Sequence, residues 1–484
     1  MSTPLRFILV GLLSSTALLA SAQPGTIDTT FDAGGADYSD FFVSAAAVQP
    51  DGKIMVVAYG TDANGISQPS QLMRLNSDGS VDLVFNAGSS TYWARAMELR
   101  PDGGVLVAGF DKIRQYTADG NCDPLFAPAL GTVDNIAGIA LQPDGKLLVI
   151  AGNCPGSFGG SANMRLTRLL ADGSQDPDFN TPIRSTNGLC TVKALADGRI
   201  LVGGSICYND GNNFVSRGLC RLMPDGSLDP TFDAEPQWIE GPGSAYTGCA
   251  LPLANGGVIS GITTLSVTLP DGSPDPAFAP VHVTGPWDPW VRAIVEQEDG
   301  RIIIAGRFTA CNGIDQERIA RLNSDGSIDD TFTGAIGDNG FSTEVERLLL
   351  QPDGKVLVGG YFTAVDGENV KSFLRLNTCP TGIVCGDFTT NVTAAPNQPG
   401  SMELFPVPYQ DGVMTVASDA LRSSAPAFVS IRGLDGRTVM NEQQATDRRD
   451  GAVSFAPASA LVPGVYVLHV RSAGWEASRR FVKQ

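Results

Sequence analysis

Histidine chemistry is nearly closed to this chain. Among 484 residues only His282 and His469 are histidines, so a Ser-His-Asp or Cys-His nucleophile would have to recruit one of them. His282 stands alone in Pro280-Val-His-Val, as a structural strand residue would. Histidine-rich metal sites are excluded by count. The segment Asn76-Ser-Asp78-Gly-Ser-Val-Asp82 places oxygen donors around a glycine like a fragment of a calcium loop, but the distal bidentate Glu is missing. Turn chemistry explains that glycine without a metal. The expectation is no cofactor, with calcium as the one metal such a loop could take.

Candidate binding chemistry appears instead at aligned positions. Seven times the chain sets Asp-Gly or Asn-Gly between two apolar runs, starting at Asp51, Asp102, Asp144, Asp197, Asn255, Asp299 and Asp353. Nine residues before each stand Phe42, Trp93, Asn135, Gly188, Tyr246, Trp290 and Glu344. Seven before stand Ser44, Arg95, Ala137, Cys190, Gly248, Arg292 and Glu346. A spacing of two puts both sets on one face of a strand. Phe42, Trp93, Tyr246 and Trp290 beside Arg95, Arg292, Glu344 and Glu346 suit stacking and polar contact with a sugar ring or a peptide. The competing reading packs the rings against a neighbouring sheet. Glu344 and Glu346 also offer paired carboxylates to a glycan-cleaving enzyme, a lyase or glycosidase. The binding reading is preferred, because one pair on one strand is slender support for catalysis.

The elements that position these residues are repeated hairpins. Asp-Gly between apolar runs is a strong short-range hairpin signal; Gly supplies positive φ, and Asp or Asn tolerates the adjacent strained position. A second block follows each hairpin, as in Arg74-Leu-Asn-Ser-Asp-Gly-Ser-Val-Asp82-Leu-Val-Phe85. Arg74, Arg168, Arg221, Arg321 and Arg375 recur with Asp82, Asp176, Asp229 and Asp329. Repetition marks them as architecture, inter-strand ion pairs, since one substrate site has no use for identical copies. The seventh unit stops at Arg375-Leu376-Asn377, and its missing tail, Asp28-Thr-Thr-Phe31, lies at the other end of the chain. Such a chain closes a ring, which removes the sheet edge. With 56 Gly, 31 Pro and 17% charged residues, the expectation is an all-β protein: a seven-bladed β-propeller over 23–377, closed by the N-terminal strand.

These blocks resemble the delta-60 repeat β-propeller family, through the Pro-Asp-Gly-Lys hairpin, the Gly-Gly-x-Phe strand end (Gly306-Arg-Phe308 and Gly360-Tyr-Phe362 here) and Arg-Leu-Asn-x-Asp-Gly-Ser-x-Asp-x-x-Phe. The second and fifth units depart, with Gln115 and Val267 in place of Arg. The resemblance implies fold and carries no catalytic residues.

Residues 1–22 read as a signal peptide: Arg6, an apolar run from Phe7, then Ala20-Ser21-Ala22 for cleavage. No other stretch has the roughly 20 apolar residues of a membrane span. A linker, 378–400, leads to a small β-sandwich at 401–484. Its Leu404-Phe-Pro-Val-Pro-Tyr, Pro463-Gly464-Val-Tyr466 and terminal Phe-Val-Lys-Gln resemble the C-terminal sorting domain of type IX secretion cargo, with Val407 departing from that family's Tyr-Pro-Asn-Pro. The resemblance implies type IX secretion machinery as a partner, and passage through the periplasm of a Gram-negative bacterium to the surface or medium. A net charge of −18 argues against nucleic acid and leaves an extracellular glycan or protein as ligand. The nine cysteines are odd in number, so at least one stays unpaired; Cys379 with Cys385 and Cys207 with Cys220 are the expected bridges.

Overall fold

The computed structural model describes residues 23–378 except 35–37, 63, 86–93, 110–111, 127, 131–135, 152–164, 210–213, 235–246, 287 and 338–342, together with strand segments between 403 and 483. Among these residues the protein is all-β. Seven antiparallel sheets each start with a strand that runs into one of the seven hairpins: Tyr38–Val48, Ala96–Leu99, Ile136–Leu141, Arg184–Ala194, Cys249–Pro252, Trp290–Glu296 and Glu344–Leu350. Each pairs with the following strand, and that strand with a third. The seven first strands pack side by side in chain order, and Glu344–Leu350 packs against Tyr38–Val48. The result is a closed β-propeller arrangement.

Both faces of each sheet are covered, which explains the near-continuous apolar second strands. Ile54, Met55, Val56 and Val57 are all buried; Ile54 and Val56 meet Leu357 and Phe373 of the seventh sheet, while Met55 and Val57 meet Val105 and Tyr116 of the second. Burial of each such side chain is worth roughly 1.5–3 kcal/mol.

The hairpins differ from the expected turn in one respect. All seven glycines sit at φ between 80° and 86°, but the preceding Asp or Asn does not have positive φ. Gly52 N donates to Gln49 O at 2.9 Å, and Gln49 N to Lys53 O at 2.8 Å. That is a type I turn followed by a left-handed glycine, the longer hairpin connection. Asp51 instead caps the turn by accepting from Lys53 N at 3.0 Å, and Asn255 does the same for Gly257 N at 2.9 Å. Asx capping, rather than tolerance of strain, is the reason for the residue type.

The chain termini of the ring meet as the split seventh unit requires. Ile27 bridges Leu376, Gly25 N donates to Asn377 O at 2.7 Å, and Asp28 N to Arg375 O at 2.8 Å. Arg375 Nε reaches Asp28 Oδ2 at 2.7 Å. The same Arg–Asp pair forms at 2.8 Å in Arg74–Asp82, Arg168–Asp176 and Arg321–Asp329, and at 2.7 Å in Arg221–Asp229.

Between 403 and 483 two four-stranded antiparallel sheets are present, one built on Met414–Ala417 and Ala452–Phe455, the other on Ala427–Gly433 and Gly464–Ser472. Ala427, Val429 and Ile431 alternate into a buried face, the period-two pattern of a half-covered sheet. No helix of the described residues is long and apolar enough to cross a membrane.

Cysteine pairing corrects one expectation. Cys207 and Cys220 are separate buried thiols, because the strand register sets Cys207 opposite Ser216 and Cys220 opposite Val202. Directly opposed positions are needed to bring two Cβ atoms within disulfide reach. Cys190 is disulfide-bonded. Cys379 and Cys385 lie outside the described residues.

Candidate functional site

The site grows out of a defect that the repeat builds into its first strands. In five sheets the ladder slips by one residue, and the extra residue is Ser44, Ala137, Cys190, Arg292 or Glu346. Every one is a residue seven before a hairpin Asp. A β-bulge of this kind leaves its extra residue unpaired and re-aims the side chain. Ala58 and Ala151 stand opposite the bulges of the first and third sheets, and a glycine stands opposite those of the fourth, sixth and seventh. Gly306 pairs with Val291 and Gly360 with Val345, and a Cβ on either would collide with the carbonyl oxygen of Trp290 or Glu344. The second Gly of Gly-Gly-x-Phe therefore exists for close backbone approach.

The bulged strands bring together residues from four sheets. Arg292 Nη2 of the sixth sheet lies 3.8 Å from Glu346 Oε1 of the seventh. Burial, followed by the neighbouring Glu346 charge, pushes the Glu344 carboxyl above its usual range, against Arg292 and Arg307. Arg347 Nη2 reaches Arg95 O at 3.0 Å, which places Arg95 of the second sheet in the same cluster, and burial with the Arg292 charge lowers its pKa.

Arg347, one position beyond the aligned set, ties the cluster together. It donates to Glu346 O at 2.9 Å, Ser44 O at 2.9 Å and Arg95 O at 3.0 Å, joining the seventh, first and second sheets. Aromatic surface comes from the residue facing each position nine before the hairpin. Phe42 stacks on Tyr59 with centroids 5.3 Å apart and lies 6.2 Å from Tyr361; a Tyr59–Tyr361 hydrogen bond joins the two phenols, and burial pushes the Tyr361 hydroxyl up. The Arg307 guanidinium lies over the Trp290 ring at 3.9 Å, a cation–π contact, and is held there by Asp288 O at 3.3 Å.

Of the expected site residues, Phe42, Arg95, Trp290, Arg292, Glu344 and Glu346 are thus assembled around one end of the ring. Trp93 and Tyr246 lie outside the described residues. Arg307, Arg347, Tyr59 and Tyr361 were not among the expected residues. The signal that could have found three of them is the x of Gly-Gly-x-Phe and its counterpart in the first unit, because Trp290 faces Arg307, Glu344 faces Tyr361 and Phe42 faces Tyr59 across the ladder.

The calcium-like segment is occupied by its own hydrogen bonds. Asp78 Oδ1 accepts from Ser80 Oγ at 2.6 Å, and Asp82 Oδ2 serves Arg74 and Lys53, each at 2.8 Å. His282 Nδ1 lies 2.9 Å from Thr264 Oγ1 on an exposed surface.

Residues 49–85, 142–179, 195–232, 297–332 and 351–378 match the family model described as "Domain of unknown function (DUF5122) beta-propeller". No curated protein matches the chain. Solved structures similar to it include PorZ, an essential surface component of the type-IX secretion system of Porphyromonas gingivalis, at 15% identity and TM-score 0.42, covering 95% of this chain and 61% of that one. The extracellular domain of the hybrid two component system BT3049 from B. thetaiotaomicron is 12% identical with TM-score 0.41, covering 92% of this chain and 56% of that one. This chain therefore spans less than two thirds of either. Virginiamycin B lyase from Staphylococcus aureus is 12% identical with TM-score 0.43, covering 72% of this chain and 98% of that one. Likeness at this level carries no information on activity. The five segments that match the DUF5122 β-propeller model fall in the first, third, fourth, sixth and seventh units.

Proposed function

We propose that this protein is an exported, seven-bladed β-propeller that binds a glycan or protein at the cell surface or in the surrounding medium. The observation that carries the reading is the convergence of Trp290, Arg292, Glu346, Arg95 and the Phe42–Tyr59–Tyr361 stack at one end of the ring, on positions that vary while the rest of the repeat is architectural. Architecture alone needs no such asymmetry. A rigid ring that presents differing side chains at one mouth is suited to recognition. The export route in this reading is the signal peptide at 1–22, then type IX secretion directed by 401–484.

The glycan-cleaving alternative is disfavoured by the carboxyl geometry. Retaining and inverting glycosidases hold their carboxyl groups about 5–5.5 Å and about 6.5–9.5 Å apart, to admit a bond or a water between them. Glu344 and Glu346 come from one strand of one sheet, whereas such enzymes flank the scissile bond with their two carboxyl groups.

Array binding of the mature protein to glycans and peptides tests the function, with Trp290→Ala as control. A binding role expects captured ligands lost in the variant while its melting temperature holds. A lowered melting temperature with binding intact would return Trp290 to the core. Mass spectrometry of the exported protein tests the route: a new N-terminus at Gln23 and removal of the segment after about residue 400 are expected by the processing rules for such signals. Extracellular protein that keeps 401–484 would contradict it.

A further inference from the structure

Charge at the axial mouth runs against the charge of the protein. The whole chain carries −18, yet among the described residues four guanidinium groups, Arg95, Arg292, Arg307 and Arg347, gather around the Glu344 and Glu346 carboxyl groups. Those two carboxyl groups stand on one strand. Arg347 is satisfied by three carbonyl oxygens, and Arg307 is fixed on Trp290 and Asp288. Arg292 differs. Its side chain is 38% exposed and stands 3.8 Å from Glu346, too far for a hydrogen bond, and the charges of Arg95 and Arg347 repel it. An anionic group arriving beside Arg292 would relieve that repulsion.

Five of the seven sheets also disfavour one common way of binding peptides. A bound strand needs an uninterrupted sheet edge for main-chain hydrogen bonds, and the bulges at Ser44, Ala137, Cys190, Arg292 and Glu346 break the first strands of five sheets. Recognition is left to side chains: planar guanidinium for a carboxylate and ring faces for a stacked sugar.

We infer that the mouth takes an acidic saccharide of the uronate class, its carboxylate received by Arg292 and its ring laid against the Trp290 and Phe42–Tyr59 aromatic surface. This rests on the binding role proposed above. Titration calorimetry on the full chain, with oligogalacturonate, a neutral galacto-oligosaccharide of equal length and polyglutamate as probes, separates the two claims. Expected are binding of oligogalacturonate alone, weakening with salt, and a loss of about tenfold or more in Arg292→Gln. Glu346→Gln removes a competing charge and should tighten binding, whereas a catalytic use of that carboxylate has no reason to do so. Melting temperatures of both variants guard against misfolding. Binding of the neutral sugar as strongly as the acidic one overturns the uronate assignment but keeps the binding role. Polyglutamate bound in place of oligogalacturonate overturns it in favour of an acidic peptide. Silence from all three probes overturns the uronate inference, and an array that also captures nothing removes the binding role with it.

Discussion

The third and fifth units make the same turn with different chemistry. In the third, Asp176 Oδ2 is held by Arg168 at 2.8 Å and Lys146 at 3.1 Å, and Arg168 Nη1 continues to the carbonyl of Pro224 in the fourth sheet. In the fifth, Val267 replaces the Arg and Gly257 the hairpin Lys, and Asp275 is half-exposed. The second unit repeats the loss: Gln115 and Gly104 stand in the two cation positions. Both cations go together. Yet Asp275 Oδ1 still accepts from Ala277 N at 2.9 Å and Asp123 Oδ1 from Leu125 N at 2.9 Å, as Asp229 Oδ1 does from Thr231 N. The two oxygens of the repeated Asp therefore have separate tasks. Oδ1 caps the tail turn in all seven units. Oδ2 accepts Arg and the hairpin cation in five, and only there is the carboxylate buried.

The paired loss also shows what the cations do for the ring. Arg74 Nη1 donates to Ala118 O at 2.9 Å, Arg221 Nη1 to Pro270 O at 2.7 Å and Arg375 Nη1 to Ser77 O at 2.6 Å; Arg321 Nη1 reaches Thr378 O. Each guanidinium thus links its own tail to the turn of the next sheet. The joint after the fifth sheet lacks that link but gains another. Val281–Thr284 extends the fifth sheet and pairs with Ala310–Cys311 of the sixth unit.

The largest effect should come from the closing triad. Asp28→Ala leaves Lys355 and Arg375 without the carboxylate that both contact at 2.7 Å, and it lies where the chain ends join. A loss of about 3–5 kcal/mol is expected for breaking a buried pair, read by urea denaturation. Next comes a direct contest between units. Arg321→Ala, from a fully buried position, should cost about 3 kcal/mol or more, and Gln115→Ala under about 1.5 kcal/mol. Equal costs would mean that the triads are incidental.

Acid should unfold the five triad units first. Lys53 chiefly, with Val84 N and Arg74, outweighs burial and holds Asp82 at about 2. At Asp329 burial pushes upward, but Thr331, Arg301 and Arg321 bring it to about 2; Asp28 and Asp229 are likewise held well below the usual range against burial. A carboxylate with a lowered folded-state pKa contributes stability above its unfolded value, lost as pH falls through the folded one. Melting temperature should therefore be flat above pH about 4 and fall steeply toward about 2. A flat profile across that window would detach the triads from stability. The smallest effect is a repair: Gln115→Arg offers Asp123 a guanidinium and should add under about 1 kcal/mol.

Much of this was legible because its causes are local. A Pro-Asp-Gly-Lys turn needs its glycine whatever surrounds it, so the seven hairpins could be counted, and the Arg–Asp pairing follows from an eight-residue spacing within one hairpin. The split seventh unit announced ring closure through Asp28 and Arg375. What stayed hidden involved the register of paired strands and the distances between sheets. Nothing in the run Leu357-Val-Gly-Gly360 says that its second glycine faces a bulge at Glu346, since the cause is a carbonyl on another strand.

The sequence by itself determined the repeat, its turns, the closing tail and the aligned positions at which the units differ, because turn chemistry and period-two burial act over a few residues. Only the tertiary structure decided that Arg347 would span three sheets, that Glu346 would stand beside Arg292, and that Cys207 would face Ser216 instead of Cys220. Those outcomes depend on strand register and on how far the ring draws its first strands together, and both are set by packing between segments up to three hundred residues apart, as in the Arg347 contact with Ser44.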